Sequence, residues 1–527
     1  MQQSAAAGSV PAYTTDLSYP SSFVFGQTPL ALVWAAAQSG APTPSLTEPF
    51  TYCDLGCGDG ITLNVLAATY PSARFIGVDL NEDHLEAARG MAERGGLDNV
   101  EYVKASFTAL DSIDLPAFDF IAVHGVYSWV DDEIRKAIHA FARSGLKPGG
   151  LVCVQYSCLP GSTVHDPLLN ALRALSGHAG GDSAARVRSG LKSLQQIARV
   201  SSFFEANPQA AELVRRMGES PIGPLAHDVL NRSRHSFYFS EVRESFGAEH
   251  LEFVGSGNLK LNYPELMMPA EALAVYRELA EGAPEGFRAE LLDLIVNTAS
   301  RCDVFRRADE DAAAAAMTGA VGLAALGHLY LQPVAAASGV DGRRRMAQGT
   351  AVDLNSPLHL DVLAAVGGGE TIGEVLDAGS LASRDRAGVE RAMAELYMTR
   401  CLDLLVAPPR PATYDSAHSY RLASPLNRIL LEETMLVPEP VAFASPALGT
   451  AIRIPVDARF RLLGFVGGDL DAVWEQYRRN GRRIVDARGN EVRDAATFRS
   501  ETIASLPAFA KTAVPELLRL GVLEVDD

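Results

Sequence analysis

From Phe50 to about Ser157, short apolar runs alternate with amphipathic helical stretches, and no other feature of the chain limits its fold as much. TYCDLG, ARFIGVDL, VEYVKA, FDFIAV and LVCVQYS read as strands; ITLNVLAATY, NEDHLEAARGMAERGG and DEIRKAIHAFARSG read as helices between them. Asn81, followed by Glu82 and Asp83, opens one of these helices with a side-chain cap and an acidic first turn. Strands alternating with helices predict a parallel sheet covered on both faces, an α/β, doubly wound, Rossmann-like domain over residues 46–165. In open sheets of this kind ligands bind outside the carboxyl ends of the strands, so the loops that follow the strands are where chemistry is expected.

At 527 residues the chain is too long for one core. Residues 1–45 form a lead-in carrying YPSSFVFGQTPL, an apolar helix from Leu30 to Gln38 and the linker GAPTPSLTEP. A helical middle region is expected over 166–310, from segments such as DPLLNALRAL, ARVRSGLKSLQQIARVSSFF and PEGFRAELLDLIV. Residues 311–527 read as a mixed α+β region, in which TIGEVLDAG and GVERAMAELYMTRCLDLLV form a helix pair with a following strand, a winged-helix-like unit. Ala312 to Val340 holds no charged residue and is long enough to span a bilayer. Its Ala and Gly content, with His328, Gln332 and Pro333 interrupting, predicts instead a small-residue helix and a buried strand, LYLQPV.

The formal net charge of -18 speaks against a nucleic-acid partner, which calls for a basic stripe. Residues 51–170 hold 16 Asp+Glu against 8 Lys+Arg, a field that favours cationic partners as well as solubility. The six cysteines include no CxxC pair and read as reduced core thiols, with no metal site. MQQSAAAGSVPAYTT has neither a basic nor an apolar signal region, so the expected location is the cytoplasm.

The first strand runs into DLGCGDG, Asp54 to Gly60. Gly56, Gly58 and Gly60 allow a tight turn and close approach of a ligand to the next helix. The spacing is G-x-G-x-G, not the G-x-G-x-x-G of dinucleotide folds, and Asp54 would repel a pyrophosphate. A carboxylate there suits an ammonium group. Asp79, nineteen residues after Gly60 at the end of the second strand, can accept both hydroxyls of a ribose. After the third strand Ser106 and Phe107 can bracket an adenine edge and face. An amine partner, a ribose partner and an aromatic wall, without a phosphate partner, fit S-adenosylmethionine and not NAD.

HGVYSWV, His124 to Val130, places three ring side chains within six residues after the fourth strand. Together with YPSSFVFGQTP, DLGCGDG, YSCLPG (Tyr156 to Gly161), LAHDVLNRSRHSFYFSEV (Leu225 to Val242) and ASPALG (Ala444 to Gly449), it carries a resemblance. Residues 50–157 resemble a class I S-adenosylmethionine-dependent methyltransferase domain. The whole chain is similar to the bacterial methyltransferases with a methyltransferase regulatory domain, which include rickettsial protein lysine methyltransferases. The resemblance implies Tyr19, Gln27 and Thr28 near the methionine end of the cofactor, although Thr28-Pro29 could equally just start a helix. The candidate cofactor contacts are then Tyr19, Gln27, Thr28, Asp54, Gly56, Gly58, Gly60, Asp79, Leu80, Ser106, Phe107 and His124. His124, Tyr127 and Trp129 are the candidates for catalysis, lining the channel from methyl donor to acceptor, with Tyr127 or His124 to take a proton.

The implied activity is N-methylation of lysine side chains in a protein, and a homodimer is a further expectation. Two alternatives stand beside it: a tailoring N- or O-methyltransferase for a small molecule or glycan, and a cofactor-binding regulatory module without turnover. Ser157 and Ser162 stand where the family often carries Asn and Trp, a departure on the acceptor side.

Overall fold

The computed structural model describes residues 22–220, 222–231, 233–308, 322–334, 343–345, 351–410, 412–485 and 491–526. Five parallel strands form where the apolar runs predict them: β1 (Thr51–Leu55), β2 (Arg74–Asp79), β3 (Val100–Lys104), β4 (Phe118–Val123) and β5 (Leu146–Ser157). β1 lies at the centre, with Cys53 opposite Ile76 on one side and Ile121 on the other. Two further strands, β6 (Leu251–Ser256) and β7 (Ser300–Arg307), give the order β3-β2-β1-β4-β5-β7-β6. β7 runs antiparallel to both β5 and β6.

Period-two alternation along β1 sends Tyr52 to one face and Cys53 to the other. The first face packs Phe50, Phe75 and Phe120 under α1 (Pro29–Ala37), α2 (Ile61–Thr69) and α3 (Glu82–Arg94). The second packs Phe118 against Phe141 of α4 (Asp132–Gly145). The Asn81 side chain accepts from the Asp83 N–H at 3.0 Å and so caps α3 as the sequence predicts, while Asp131 caps α4 through the Ile134 N–H at 3.1 Å.

α5 (His165–Gly177), α6 (Ser183–Ala198), α7 (Ser202–Ala206), α8 (Pro208–Glu219) and α9 (Ile222–Leu230) share a core of their own around Leu172, Val187, Leu191, Val214 and Val229. The chain then returns to the sheet through α10 (Phe239–Gly247), whose Phe246 stacks on Phe305 of β7 at 4.4 Å. The sequence predicts helix across 166–310, and β6 and β7 depart from that. RCDVFRR looks too charged for a buried strand, but its charges are buried as a set. Arg301, 3% exposed, donates to Asp303 at 2.8 Å and to Asp293 at 2.8 Å, and Tyr156 of β5 donates to Asp303 at 2.5 Å. Breaking such a set by removing one partner typically costs about 3–5 kcal/mol, so β7 is firmly joined to β5.

In the last region Tyr330–Pro333 pairs antiparallel with Leu402–Leu405 beside the helices Pro357–Ala365, Ile372–Leu376 and Arg386–Met398, the expected winged-helix-like unit. LYLQPV forms its strand; the small-residue helix expected before it falls mostly outside the described residues. The hairpin Val441–Ser445 with Thr450–Ile454 holds the ASPALG turn against α2, where the Tyr70 hydroxyl donates to the Gly449 carbonyl at 2.7 Å. Among the described residues no helix is long and apolar enough to cross a membrane.

Candidate active site

The turn after β1 hangs from the end of β2: the Gly56 and Cys57 N–H groups donate to the Val78 carbonyl at 2.7 and 3.2 Å. The Gly58 N–H donates to one Asp79 oxygen at 3.0 Å, and Asn81 N–H to the other at 2.8 Å. Each Asp79 oxygen thus keeps a lone pair and a fixed direction, the condition for receiving a pair of hydroxyls. Two glycines have no substitute here. A Cβ on Gly56, at φ +85°, would stand 2.3 Å from Cγ2 of Val126 in the aromatic loop. A Cβ on Gly60, at φ +72°, would meet the Tyr102 hydroxyl at 2.5 Å. The Gly56 approach brings the glycine turn and HGVYSWV into contact, and the Phe107 ring borders the same spot, 3.8 Å from that Cβ position.

Asp54 is buried and accepts from Gln27 Nε2 at 3.0 Å. Burial raises its carboxyl to about 7, with the Gln27 hydrogen bond opposing and the Asp79 charge adding. The other Gln27 amide atom, Oε1, is buried without a partner among the described residues. A carboxylate and an orphaned amide oxygen side by side form an acceptor-only pair, which fits the ammonium of the cofactor's methionine part. The Thr28 hydroxyl accepts from the Ala31 N–H at 3.3 Å and donates to the Phe25 carbonyl at 3.0 Å, so it serves as the cap of α1. Tyr19 lies outside the described residues. Ser106 bonds to Thr108 at 2.9 Å, half-buried, and Leu80 stands exposed beside Asp79.

The three rings of HGVYSWV part company. The short 3-10 turn Tyr127–Trp129 sends Tyr127 inward, where it is 1% exposed among Tyr156, Phe237 and Phe246. Its hydroxyl bonds His139 Nε2 at 2.9 Å, and burial raises it to about 12. Tyr127 is therefore core and not channel wall, contrary to the expectation. His124 and Trp129 stay half-buried, and burial lowers the His124 imidazole to about 4, leaving it neutral at pH 7. The sequence reading missed the residues that meet Trp129 from the far side: the Asn231 amide donates to its carbonyl at 3.0 Å and the Arg234 guanidinium lies 5.3 Å over its ring. Both belong to LAHDVLNRSRHSFYFSEV, but nothing local in that stretch signals contact with a loop a hundred residues earlier. Asp228, one helical turn before Asn231, is half-buried and lifted by burial to about 6, with Arg234 opposing.

Residues 46–201 match a family model described as a methyltransferase domain, and residues 224–307 one described as a predicted methyltransferase regulatory domain. An uncharacterized protein of Synechocystis sp. is 28% identical over 446 residues, which make up 84% of this chain and 85% of that one. A trans-aconitate 2-methyltransferase of Methylobacterium nodulans is 29% identical over 158 residues, 30% of this chain and 55% of its own length. Among solved structures, PKMT2 from Rickettsia typhi in complex with AdoHcy has the same fold, with a TM-score of 0.64 at 18% identity over 96% of this chain and 99% of that one. Fold, site and family match together define an S-adenosylmethionine-dependent methyltransferase. More particularly, its methyltransferase domain is followed by a segment, residues 224–307, that matches the model of a predicted methyltransferase regulatory domain, and its motifs resemble those of a group with rickettsial members.

Proposed function

We propose that this enzyme N-methylates lysine side chains of a protein, with Asp54 and Gln27 taking the cofactor's ammonium, Asp79 its ribose, Ser106 and Phe107 its adenine, and His124 and Trp129 bordering the acceptor. The observation that carries this reading is the contact of Gly56 with Val126, which sets the aromatic loop directly against the cofactor turn. Bound there, S-adenosylmethionine supplies an electrophilic methyl on a sulfonium. The chain's part is to align the acceptor, exclude water and tolerate positive charge. A neutral His124 adds no cation to that path. The half-buried Trp129 ring offers cation–π attraction of roughly 0.5–2 kcal/mol to an amine. A lysine amine must first lose a proton, which costs roughly 4.6 kcal/mol at pH 7 from a pKa of about 10.4. A partly dry aromatic site lowers that cost by disfavouring the charged form. Similarity to PKMT2 of Rickettsia typhi and the motif resemblance favour a protein acceptor over a small one.

The test is methyl transfer from labelled S-adenosylmethionine into host-cell extract, separated into protein and small-molecule fractions. Label in protein, mapped to lysine by mass spectrometry, supports the proposal. Label confined to the small-molecule fraction contradicts it and favours a tailoring methyltransferase.

A further inference from the structure

We propose that Arg234 of the regulatory domain is a positioning residue for methyl transfer, holding the Trp129 indole in the plane that the acceptor meets. This rests on the reading of Trp129 as part of the acceptor wall.

The backbone of the aromatic loop is already fixed by the surrounding chain. Gly125 N–H donates to Gln155 Oε1 at 3.0 Å, and Gln155 is itself tied to Ser300 of β7 at 2.8 Å. The Ser128 hydroxyl accepts from Ser157 N–H at 2.8 Å, and the Ser128 carbonyl from His235 N–H at 2.8 Å. With the Asn231 bond to the Trp129 carbonyl, every step of the loop from Gly125 to Trp129 is pinned except the indole itself. A half-buried Trp with a fixed backbone still has rotamers to choose from, and its orientation is set by what lies on its faces.

Arg234 lies on one of them, its guanidinium carbon 5.3 Å from the ring. The guanidinium is in turn held by an ion pair with Asp166 in the first turn of α5. Its side chain is 12% exposed and that of Asp166 29%, so solvent screens the pair less than a surface pair. Arg suits this place better than Lys, because a planar guanidinium can stack on an indole while one edge bonds a carboxylate. Arg234 thus occupies one indole face, and the acceptor would meet the other. The regulatory domain thereby builds one side of the acceptor site, through Asn231, Arg234 and His235.

The experiment compares Arg234→Met and Arg234→Lys in the full chain, each alone and in a Trp129→Ala background. Three quantities are read: the initial rate of label transfer from saturating S-adenosylmethionine into host-cell protein extract, AdoHcy affinity by calorimetry, and acrylamide quenching of tryptophan fluorescence. Arg234→Met should lower the rate roughly five- to thirtyfold, the span expected for losing a shielded cation–π contact of about 1–2 kcal/mol. AdoHcy affinity should stay within about twofold. Quenching should rise, and the rise should vanish when Trp129 is replaced by Phe. Arg234→Lys should recover part of the rate, and Arg234→Met should cost nothing further once Trp129 is Ala, since the two then act through one group. An unchanged rate in Arg234→Met, or a full additional loss on top of Trp129→Ala, would overturn the inference. If Trp129→Ala itself transfers label at the parent rate, the acceptor-wall reading fails instead, so the two failures are told apart.

Discussion

Asp54 makes cofactor binding a proton-linked event with a calculable size. Its carboxyl, lifted by burial to about 7, is protonated in about nine tenths of the free chains at pH 6 and in about a quarter at pH 7.5. A cationic amine beside Asp54 favours the ionised form, so the bound pKa is lower than the free one. The sign follows: binding expels a proton, and affinity rises with pH through the free-chain pKa. If the bound carboxylate stays ionised throughout, affinity rises about eightfold between pH 6 and 7.5, or about 1.2 kcal/mol, below the range of about 7.7–8.0 in which α-amino groups begin to lose their own proton. Calorimetric titration with AdoHcy over that range measures the slope. Repeating it at pH 7 in two buffers of different ionisation enthalpy measures the proton, of which about half an equivalent should be released. Asp54→Asn should bind more weakly at pH 7.5 and lose the slope. A flat profile in the parent enzyme, or the same slope in Asp54→Asn, would refute the assignment of Asp54 to the amine.

Two more predictions concern the aromatic loop. Tyr127→Phe removes the partner of a buried His139 nitrogen and should cost about 1–3 kcal/mol of stability in a denaturant titration, with turnover per folded molecule close to the parent's, because the ring is core; a collapse of turnover at unchanged stability would return Tyr127 to the reaction. Gly56→Ala adds a Cβ against Val126 at a positive φ and should lower stability by about 1–3 kcal/mol and abolish measurable AdoHcy binding. Pairing it with Val126→Ala should restore part of the stability seen by thermal melting, and no restoration would mean that the two loops do not meet.

The five parallel strands are legible because each is a short apolar run between amphipathic helices, a pattern that burial on both faces writes directly into the residues. β6 and β7 are not, because β7 joins the sheet by pairing with β5, more than a hundred residues earlier, and Arg301 and Asp303 neutralise one another only once folded. Asp54, the three glycines and Asp79 are visible because their spacing is local to the turns that present them. Thr28 shows how the plainer of two readings prevails: the Thr-Pro pair marks a helix start, and its hydroxyl is spent there. Which of three adjacent rings faces inward depends on the twist of one 3-10 turn, and residue types do not encode that. Arg234 and Asn231 reach Trp129 only because the chain returns to the sheet between α9 and α10, a tertiary fact with no local trace.

The measurement that bears most directly on the account is AdoHcy titration of the parent enzyme against Asp79→Ala. Asp79 holds the glycine turn through Gly58 and is left with acceptors for a ribose. Losing two hydrogen bonds to a charged group should therefore weaken binding by at least about a hundredfold. Saturable binding by the parent and none detectable by the variant is the predicted result. Equal affinity in both would contradict the placement of the cofactor across the ends of β1 and β2, and with it the site as described.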